Sequence, residues 1–229
     1  MQLDNPKAWA RKNKKVFANT MITMAGVMSH DEPAAIFMAG LPGAGKTEFT
    51  INLIRDLQLQ VVRIDMDEIA THIKNYSPLH ADAFREAATD VMNAVFDRAT
   101  HRKVDFIMDG TFRSDKAITN IERALKKGYT VKVFYVYQQP DIAWSFTKDR
   151  EKVEKRAIDR DGFIEAYFAI HENIRKLLAA DYDGVTVDLV VKDKSNKAGT
   201  HYENVSMQDI DSIVNTRYTE DELERKVRP

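Results

Sequence analysis

The chain of 229 residues is 44% hydrophobic and carries 34 Lys and Arg against 35 Asp and Glu, for a formal net charge of -1. This length and charge balance predict a single domain, 1–229, with a sizeable core and without nucleic acid as a partner. Cysteine is absent, which excludes disulfides and thiolate chemistry. No run approaches the roughly 18 apolar residues of a membrane span, so we expect a cytoplasmic protein without a membrane partner.

Apolar runs of strand length alternate with helical patterns along the chain. We predict strands over 34–39, 60–65, 104–109, 130–137 and 185–191. Helices are predicted over about 6–28, 46–57, 67–74, 81–101 and 115–127, followed by a long charged region over 141–180. This alternation predicts an α/β fold, a three-layer sandwich around a parallel sheet. Ligands of such sheets bind beyond the carboxyl ends of the strands, which directs attention to the residues that follow each strand.

The first predicted strand is followed by Gly40-Leu-Pro-Gly-Ala-Gly-Lys-Thr47, which has the full P-loop (Walker A) spacing between a strand and a helix. The residues predicted to bind the nucleotide are Gly40, Leu41, Pro42, Gly43, Ala44, Gly45, Lys46 and Thr47. Lys46 is expected to neutralise the β and γ oxygens of ATP or GTP, and Thr47 to bind Mg²⁺. The alternative is a glycine-rich turn with an incidental lysine.

Two carboxylates, Asp65 and Asp67, follow the second strand in the run RIDMDEI. If the strand ends at Asp65, both can point toward the open edge of the sheet. Asp65 is then predicted to order Mg²⁺ through water, and Asp67 to accept the proton of an attacking hydroxyl. The alternative is that Asp67 is the N-cap of the next helix, and the two roles of Asp67 are compatible.

The third strand is followed by Asp109-Gly-Thr-Phe-Arg113. An acid that closes a buried strand suits a Walker B role, and Gly110 with Thr111 indicates a loop that contacts a small ligand. Arg113 adds a cation suited to bidentate recognition of phosphate. The alternative is a solvent-facing arginine beside a helix cap at Thr111 or Ser114.

A helical lid is predicted over about 141–163, after the fourth strand, with arginines at 150, 156 and 160. Arg150 and Arg156 are six residues apart, so one straight helix does not place both on the same face. A break between them, or a nucleotide reached from two sides, is required if both act. The alternative is a solvated helix face.

Together these motifs resemble the zeta toxin family, the P-loop kinases of bacterial toxin and antitoxin pairs. The similarity covers GLPGAGKT, IDMDEI, REAATDVMNAV, DFIMDGTFRSD and NIERALKKGYTVKVFYVYQQP, within roughly residues 30–195. The resemblance implies a P-loop kinase with a helical lid that uses ATP to phosphorylate the 3'-hydroxyl of the sugar in UDP-N-acetylglucosamine. It also implies an antitoxin protein, encoded elsewhere, as a partner.

The resemblance carries residue roles as well. It makes Asp67 the general base, and Lys46, Arg150 and Arg156 the cations that stabilise the transferred phosphoryl group. The substrate-binding residues that it implies are Asp67, Asp90, Asp109, Thr111 and Arg113. Better-known members have Glu where this chain has Asp90 and Asp109, which favours a different ligand or an intervening water. The lid arginines are also closer together than in those members, so Arg160 is an alternative to Arg156.

Three hypotheses remain open: a kinase acting on a nucleotide sugar, a kinase with another small-molecule or dinucleotide acceptor, and a nucleotide-dependent switch without catalysis. Only the kinases need a base for the acceptor hydroxyl, which Asp67 supplies. The histidines show no metal-binding spacing, and we expect His171 to lie on the surface. The segment after about 192 is assigned no function.

Overall fold

The structure is a computed structural model, which describes residues 5–154, 158–196 and 199–228. Its strands are β1 (Ala34–Ala39), β2 (Val62–Asp65), β3 (Phe106–Asp109), β4 (Thr130–Tyr137), β5 (Val185–Lys192) and β6 (Gly199–Tyr202). Its α-helices are α1 (Pro6–Met24), α2 (Lys46–Asp56), α3 (Met66–Thr71), α4 (Ala81–Arg102), α5 (Lys116–Leu125), α6 (Pro140–Glu154), α7 (Arg160–Ala180), α8 (Met207–Ile213) and α9 (Glu220–Lys226). A short 3₁₀ helix, Pro78–His80, precedes α4.

The strands form one sheet in the order β2-β3-β1-β4-β5-β6. The first five strands are parallel, and β6 is antiparallel to β5. The predicted α/β fold class is confirmed, although β6 was not predicted. Strands β2 and β3 lie on one side of β1, and β4 and β5 lie on the other, so the strand order reverses at β1. Open α/β sheets bind ligands at the carboxyl ends of the strands where this reversal occurs.

Helices cover both faces of the sheet. Phe134 and Tyr135 are neighbours on β4, so their side chains point to opposite faces. The ring of Phe49 in α2 lies 5.1 Å from that of Phe134, and the ring of His171 in α7 lies 5.7 Å from that of Tyr135. These contacts establish the three layers, and each fully buried large apolar side chain within them contributes about 1.5–3 kcal/mol.

Some helix boundaries differ from the prediction. Helix α1 ends at Met24 instead of near 28, and Gly26 follows with a φ of +64°, a conformation that ends a helix. The charged region over 141–180 forms two helices, because Asp159 caps α7 by accepting a hydrogen bond from the Gly162 amide at 3.0 Å. No helix in the described part of the chain is long and apolar enough to cross a membrane.

Candidate active site

The P-loop takes a backbone path that requires glycine. Gly40 has a φ of +144° and Gly43 a φ of +75°. A Cβ at Gly40 would lie 2.2 Å from the carbonyl oxygen of Val136, and one at Gly43 would lie 2.1 Å from that of Ala143. Glycine at these positions therefore lets the loop lie directly against the end of β4 and the first turn of α6.

The N-terminus of α2 opens into this loop. Its N-cap is Gly45, which provides no side-chain hydrogen bond to the first turn of this 11-residue helix. Amides at the start of a helix need partners outside it, and the helix dipole makes an anion favourable there. The arrangement fits the phosphates of a nucleotide.

Lys46 is the first residue of α2 and is buried, with 9% of its surface exposed. Its Nζ donates to the carbonyl oxygen of Leu41 at 2.7 Å. Burial lowers the pKa of Lys46 to about 8. The charges of Asp109 and Asp67 oppose this shift, and the charge of Arg150 adds to it. Four residues singled out from the sequence, on four different elements, are therefore close enough to interact electrostatically.

Asp65, and not Asp67, caps α3. Strand β2 ends at Asp65 as predicted, and the helix begins at Met66. The Oδ1 of Asp65 accepts hydrogen bonds from the amides of Asp67 at 2.8 Å and Glu68 at 3.3 Å. The hypothesis that Asp67 is the N-cap is wrong, because Asp67 already lies in the first turn.

The side chain of Asp67 is solvent-exposed. It lines a small recess together with Met66, Tyr76 and Arg85, between α3 and the start of α4. Its charge acts on both Lys46 and Asp65. An exposed carboxylate beside the P-loop lysine has the chemistry of a proton acceptor for a hydroxyl group.

Arg63 joins the carboxylates at this edge of the sheet. Its Nε and Nη2 donate to Oδ2 of Asp109 at 3.1 and 2.8 Å, and its Nη1 donates to Oε2 of Glu68 at 2.8 Å. Nη2 also donates to Oδ2 of Asp65. Burial and the charge of Asp109 raise the pKa of Asp65 to about 6, which Arg63 opposes. Since both oxygens of Asp65 are engaged, the carboxylate does not fit a direct Mg²⁺ ligand.

Thr47, the other predicted metal ligand, fits Mg²⁺ better. It is the second residue of α2, directly after Lys46, and is half-buried. Its hydroxyl is a hard oxygen ligand at the helix N-terminus that fits the phosphates.

The loop after β3 is held from two sides. The amide of Gly40 donates to the carbonyl of Thr111 at 3.2 Å, and Nδ2 of Asn173 in α7 donates to the carbonyl of Phe112 at 3.0 Å. Phe112 is buried and has a φ of +66°, a strained value for an aromatic residue that persists only where the surroundings impose it. Thr111 is half-buried and Arg113 is exposed.

Asp90 lies on α4 and is half-buried. The hydroxyl of its neighbour Thr89 donates to Sδ of Met66 at 3.6 Å, so this turn of α4 packs beside the start of α3. Asp90 therefore belongs to the same end of the sheet as Asp67.

The lid arginines have different surroundings. Arg150 lies on α6 and its charge acts on Lys46, whereas Arg156 lies outside the described residues. Arg160, considered as a substitute for Arg156, donates to the carbonyls of Val227 and Glu224, both at 2.8 Å. Arg160 therefore binds the C-terminal end of α9. This part of the segment after 192, to which the sequence assigned no function, thus packs against the start of α7.

Sequence reasoning missed a contact of the segment after β5. Nδ2 of Asn196 donates to the carbonyl of Gly43 at 3.1 Å, and Nε2 of Gln138 donates to the carbonyl of Asp193 at 2.6 Å. The turn between β5 and β6 therefore lies against the P-loop. Gln138 directly follows β4, so the strand-end rule would have found it, whereas no sequence pattern indicates Asn196.

A P-loop at the end of a central parallel strand, with acidic residues at the ends of both strands on one side of it, defines the P-loop kinase class of α/β proteins. The family model described as zeta toxin matches residues 19–206. The chain belongs to the zeta toxin family.

Individual relatives agree with this assignment. Toxin PezT of Streptococcus pneumoniae serotype 4 is 25% identical over 132 residues, which are 53% of this chain and 51% of that protein. The chain thus spans about half the length of this curated relative. A structure of the PezAT toxin–antitoxin system of Streptococcus pneumoniae superposes with a TM-score of 0.70 at 18% identity, covering 94% of both chains. The AvrRxo1-ORF1:-ORF2 complex with ATP superposes with a TM-score of 0.67 at 11% identity, covering 92% of this chain and 74% of that one. Identities this low establish the shared fold alone.

Proposed function

We propose that the protein is an ATP-dependent kinase that transfers the γ-phosphate to the 3'-hydroxyl of the sugar of UDP-N-acetylglucosamine. The observation that carries the proposal is the position of Asp67, an exposed carboxylate that lines a recess in the first turn of α3, directly after the end of β2 and at the same edge of the sheet as Lys46. A nucleotide-dependent switch uses the lysine and a carboxylate for Mg²⁺ but needs no base for an acceptor hydroxyl, whereas transfer to an alcohol needs such a base. Membership of the zeta toxin family supports the choice of acceptor.

The nucleotide is assigned to the P-loop, Gly40 to Thr47, and the N-terminus of α2. The uncapped first turn of α2 and the buried ammonium of Lys46 support this assignment, and a structural neighbour was solved with ATP. When bound, Mg²⁺ supplies further positive charge at the β and γ oxygens. Thr47 is the residue that we assign to Mg²⁺, and the engaged carboxylate of Asp65 would order the ion through water.

We assign the roles in the transfer to three side chains. Asp67 accepts the proton of the acceptor hydroxyl as its oxygen forms a bond to the γ-phosphorus, and the bond from that phosphorus to the oxygen of the leaving ADP breaks. Lys46 and Arg150 stabilise the negative charge on the transferring group. The family resemblance adds Arg156 to these cations.

The acceptor is assigned to the space beside Asp67, Asp90, Thr111 and Arg113. The support is that these residues lie on α3, on the turn of α4 beside it and on the loop bonded to Gly40. Arg113 suits the diphosphate of a nucleotide sugar because a guanidinium binds phosphate oxygens in pairs. Asp109, which the family resemblance also assigns to the acceptor, is not included here because its Oδ2 already accepts two hydrogen bonds from Arg63.

The test is incubation of the purified protein with ATP, Mg²⁺ and single acceptors, read by mass spectrometry for one added phosphate. The acceptors are UDP-N-acetylglucosamine, other nucleotide sugars, a dinucleotide and an aminoglycoside, with Lys46→Ala as the inactive control. Phosphate on the 3'-hydroxyl of UDP-N-acetylglucosamine is the expected result. Transfer to a different acceptor would overturn the substrate, and ATP binding without any transfer would leave the switch as the function.

We also propose that an antitoxin protein encoded elsewhere binds this chain. The support is that the structural neighbours PezAT and AvrRxo1-ORF1:-ORF2 are both solved as parts of two-protein systems.

A further inference from the structure

The register of β2 and β3 brings two like charges together. Asp65 and Asp109 are direct partners at the ends of these parallel strands. Partners in register point to the same face, and neighbouring strands lie only about 4.8 Å apart. Two carboxylates at this separation repel each other unless a cation lies between them.

Arg63 provides that cation from within the same strand. It lies two residues before Asp65, so both side chains project from the same face of β2. Its guanidinium donates hydrogen bonds to Asp65, Glu68 and Asp109 at once, and the side chain is 21% exposed. The planar fork of arginine can bind several carboxylates in fixed directions, which a lysine cannot reproduce.

These bonds lead directly to Asp67. Arg63 holds the carboxylate of Asp65, and the other oxygen of that carboxylate accepts the amides of Asp67 and Glu68. Strand β2 is at the edge of the sheet, with β3 as its single neighbour among the described strands. The hydrogen bonds of Arg63 to Asp65, Glu68 and Asp109 thus hold the first turn of α3 to the end of β3, and thereby in place relative to the P-loop.

We propose that Arg63 is a positioning residue for phosphate transfer, which fixes Asp67 by clamping the ends of β2 and α3 to Asp109 of β3. The proposal rests on the proposed kinase activity and extends it to a residue that does not touch the acceptor. It also gives Asp109 the same role: the side chain of Asp109 is 3% exposed and its Oδ2 accepts two hydrogen bonds from Arg63. Asp109 then acts through Arg63, and the acceptor is bound by the other residues assigned to it, Asp67, Asp90, Thr111 and Arg113.

The kinetic test compares Arg63→Met, Arg63→Lys and the control Arg55→Met. Arg55 is a good match because it is also in an ion pair, with Asp56, but is 67% exposed and lies on the distal end of α2. Arg63→Met should lower kcat roughly 10- to 100-fold, because small displacements of a catalytic group have effects of this size. ATP affinity should stay within about threefold and Arg63→Lys should recover part of kcat, whereas Arg55→Met should behave as wild type.

A double-mutant cycle distinguishes clamping from direct binding by Asp109. If Arg63 and Asp109 act as one unit, Arg63→Met combined with Asp109→Asn should be little slower than either single variant. If Asp109 instead binds the acceptor, Asp109→Asn should raise the acceptor KM and the two effects should multiply. That outcome would overturn the proposal, as would a lower melting temperature of Arg63→Met with unchanged kcat.

Hydrogen exchange tests the clamp without any need for activity. Deuterium uptake over 62–71 should be faster in Arg63→Met than in wild type and Arg55→Met, and intermediate in Arg63→Lys. Uptake over 160–180 serves as the internal control and should not change. If wild type transfers no phosphate, the proposed function fails while exchange still decides the clamp: unchanged uptake over 62–71 overturns it in either case.

Discussion

The backbone amide of Gly40 donates a hydrogen bond to the carbonyl of Thr111 at 3.2 Å. This bond joins the first residue of the P-loop to the loop that follows β3. Because Asn173 binds the carbonyl of Phe112 on the other side, the position of the β3 loop is set jointly by the P-loop and by α7. A ligand bound to the β3 loop is thereby held in a fixed relation to the nucleotide phosphates.

The first prediction concerns the acceptor. Thr111→Val combined with Arg113→Ala should raise the acceptor KM or lower kcat/KM by roughly 10-fold or more, because a phosphate contact and a hydroxyl are lost. Nucleotide affinity should stay within a few fold, since the bond to Gly40 uses the backbone of Thr111 and survives. Initial rates at varied acceptor and a separate ATP titration provide the measurement.

The control for this double variant is Arg102→Ala, which removes an exposed arginine at the C-terminal end of α4, away from the start of α4 that lies beside Asp67. It should leave both constants unchanged. Loss of ATP binding in the Thr111 and Arg113 variant, with the acceptor constants intact, would reassign the loop to the nucleotide.

The second prediction concerns toxicity. Expression of the wild type in a bacterial host should arrest growth through loss of a cell-wall precursor, and Lys46→Ala should not. In vitro the same change should lower transfer at least about 100-fold, because it removes a fixed cation at the phosphates. Growth curves at matched expression, verified by immunoblot, are the measurement.

The control is Lys126→Ala, which removes an exposed lysine directly after α5 and should remain as toxic as the wild type. Normal growth with the wild type at high expression would contradict the toxin role but not the kinase.

The third prediction compares the stability effects of Asp65, the cap of α3, and Asp67, the proposed general base. Asp65→Ala should lower the free energy of unfolding by about 0.5–2 kcal/mol, since it removes the acceptor for the first-turn amides. Asp67→Asn should change stability less than Asp65→Ala, because Asn keeps the size and most hydrogen bonding of Asp and Asp67 is not the cap of α3. Urea denaturation of the two variants beside the wild type tests this. Equal stability of Asp65→Ala and wild type would show that the cap does not outweigh the repulsion between Asp65 and Asp109 that the same change removes.

The fourth prediction concerns His171, which was expected at the surface and is in fact buried. Its Nδ1 lies 2.7 Å from the carbonyl of Tyr167 and its Nε2 lies 2.8 Å from the hydroxyl of Tyr135. Burial lowers the pKa of His171 to about 4; the hydrogen bond to Tyr167 and the charge of Asp211 oppose this shift, and the charge of Arg175 adds to it. Between pH 6.5 and 4 the unfolded chain therefore binds the proton more readily than the folded protein.

Stability should consequently fall as pH falls through this window, by up to about 3 kcal/mol from this residue. Melting temperatures of the wild type and His171→Gln from pH 7 to 4 provide the measurement. The variant should be less stable at pH 7 but should lose less on acidification. Parallel pH profiles would contradict a depressed pKa at His171.

The sequence predicted those parts of the fold and site that depend on local pattern. The apolar run of β1 and the largely β-branched and aromatic run of β4, in which Lys132 is the one charged residue, gave both strands their observed bounds, because buried parallel strands show little polar alternation. The P-loop and the strand-end positions of Asp65 and Asp109 followed from motif spacing and from the rule for open α/β sheets.

Contacts that join distant segments could not be predicted in this way. The Arg63 clamp to Asp109 spans 46 residues, and the bond from Asn196 to Gly43 spans 153. Both depend on strand order and register, which local periodicity does not encode. The same reason explains His171, whose burial is decided by the aromatic residues of β4 and not by its neighbour Glu172.

Asp67→Asn tests most directly whether this exposed carboxylate activates the hydroxyl that receives the phosphate. The change preserves size and most hydrogen bonding and, because Asp65 is the cap, should change stability less than Asp65→Ala and should not alter ATP affinity. Single-turnover transfer to the acceptor identified by mass spectrometry is the measurement, with wild type and Lys46→Ala as the limits. We predict a fall in rate of roughly 10² to 10⁴ at unchanged ATP affinity. Transfer near the wild-type rate with intact ATP binding would contradict the claim.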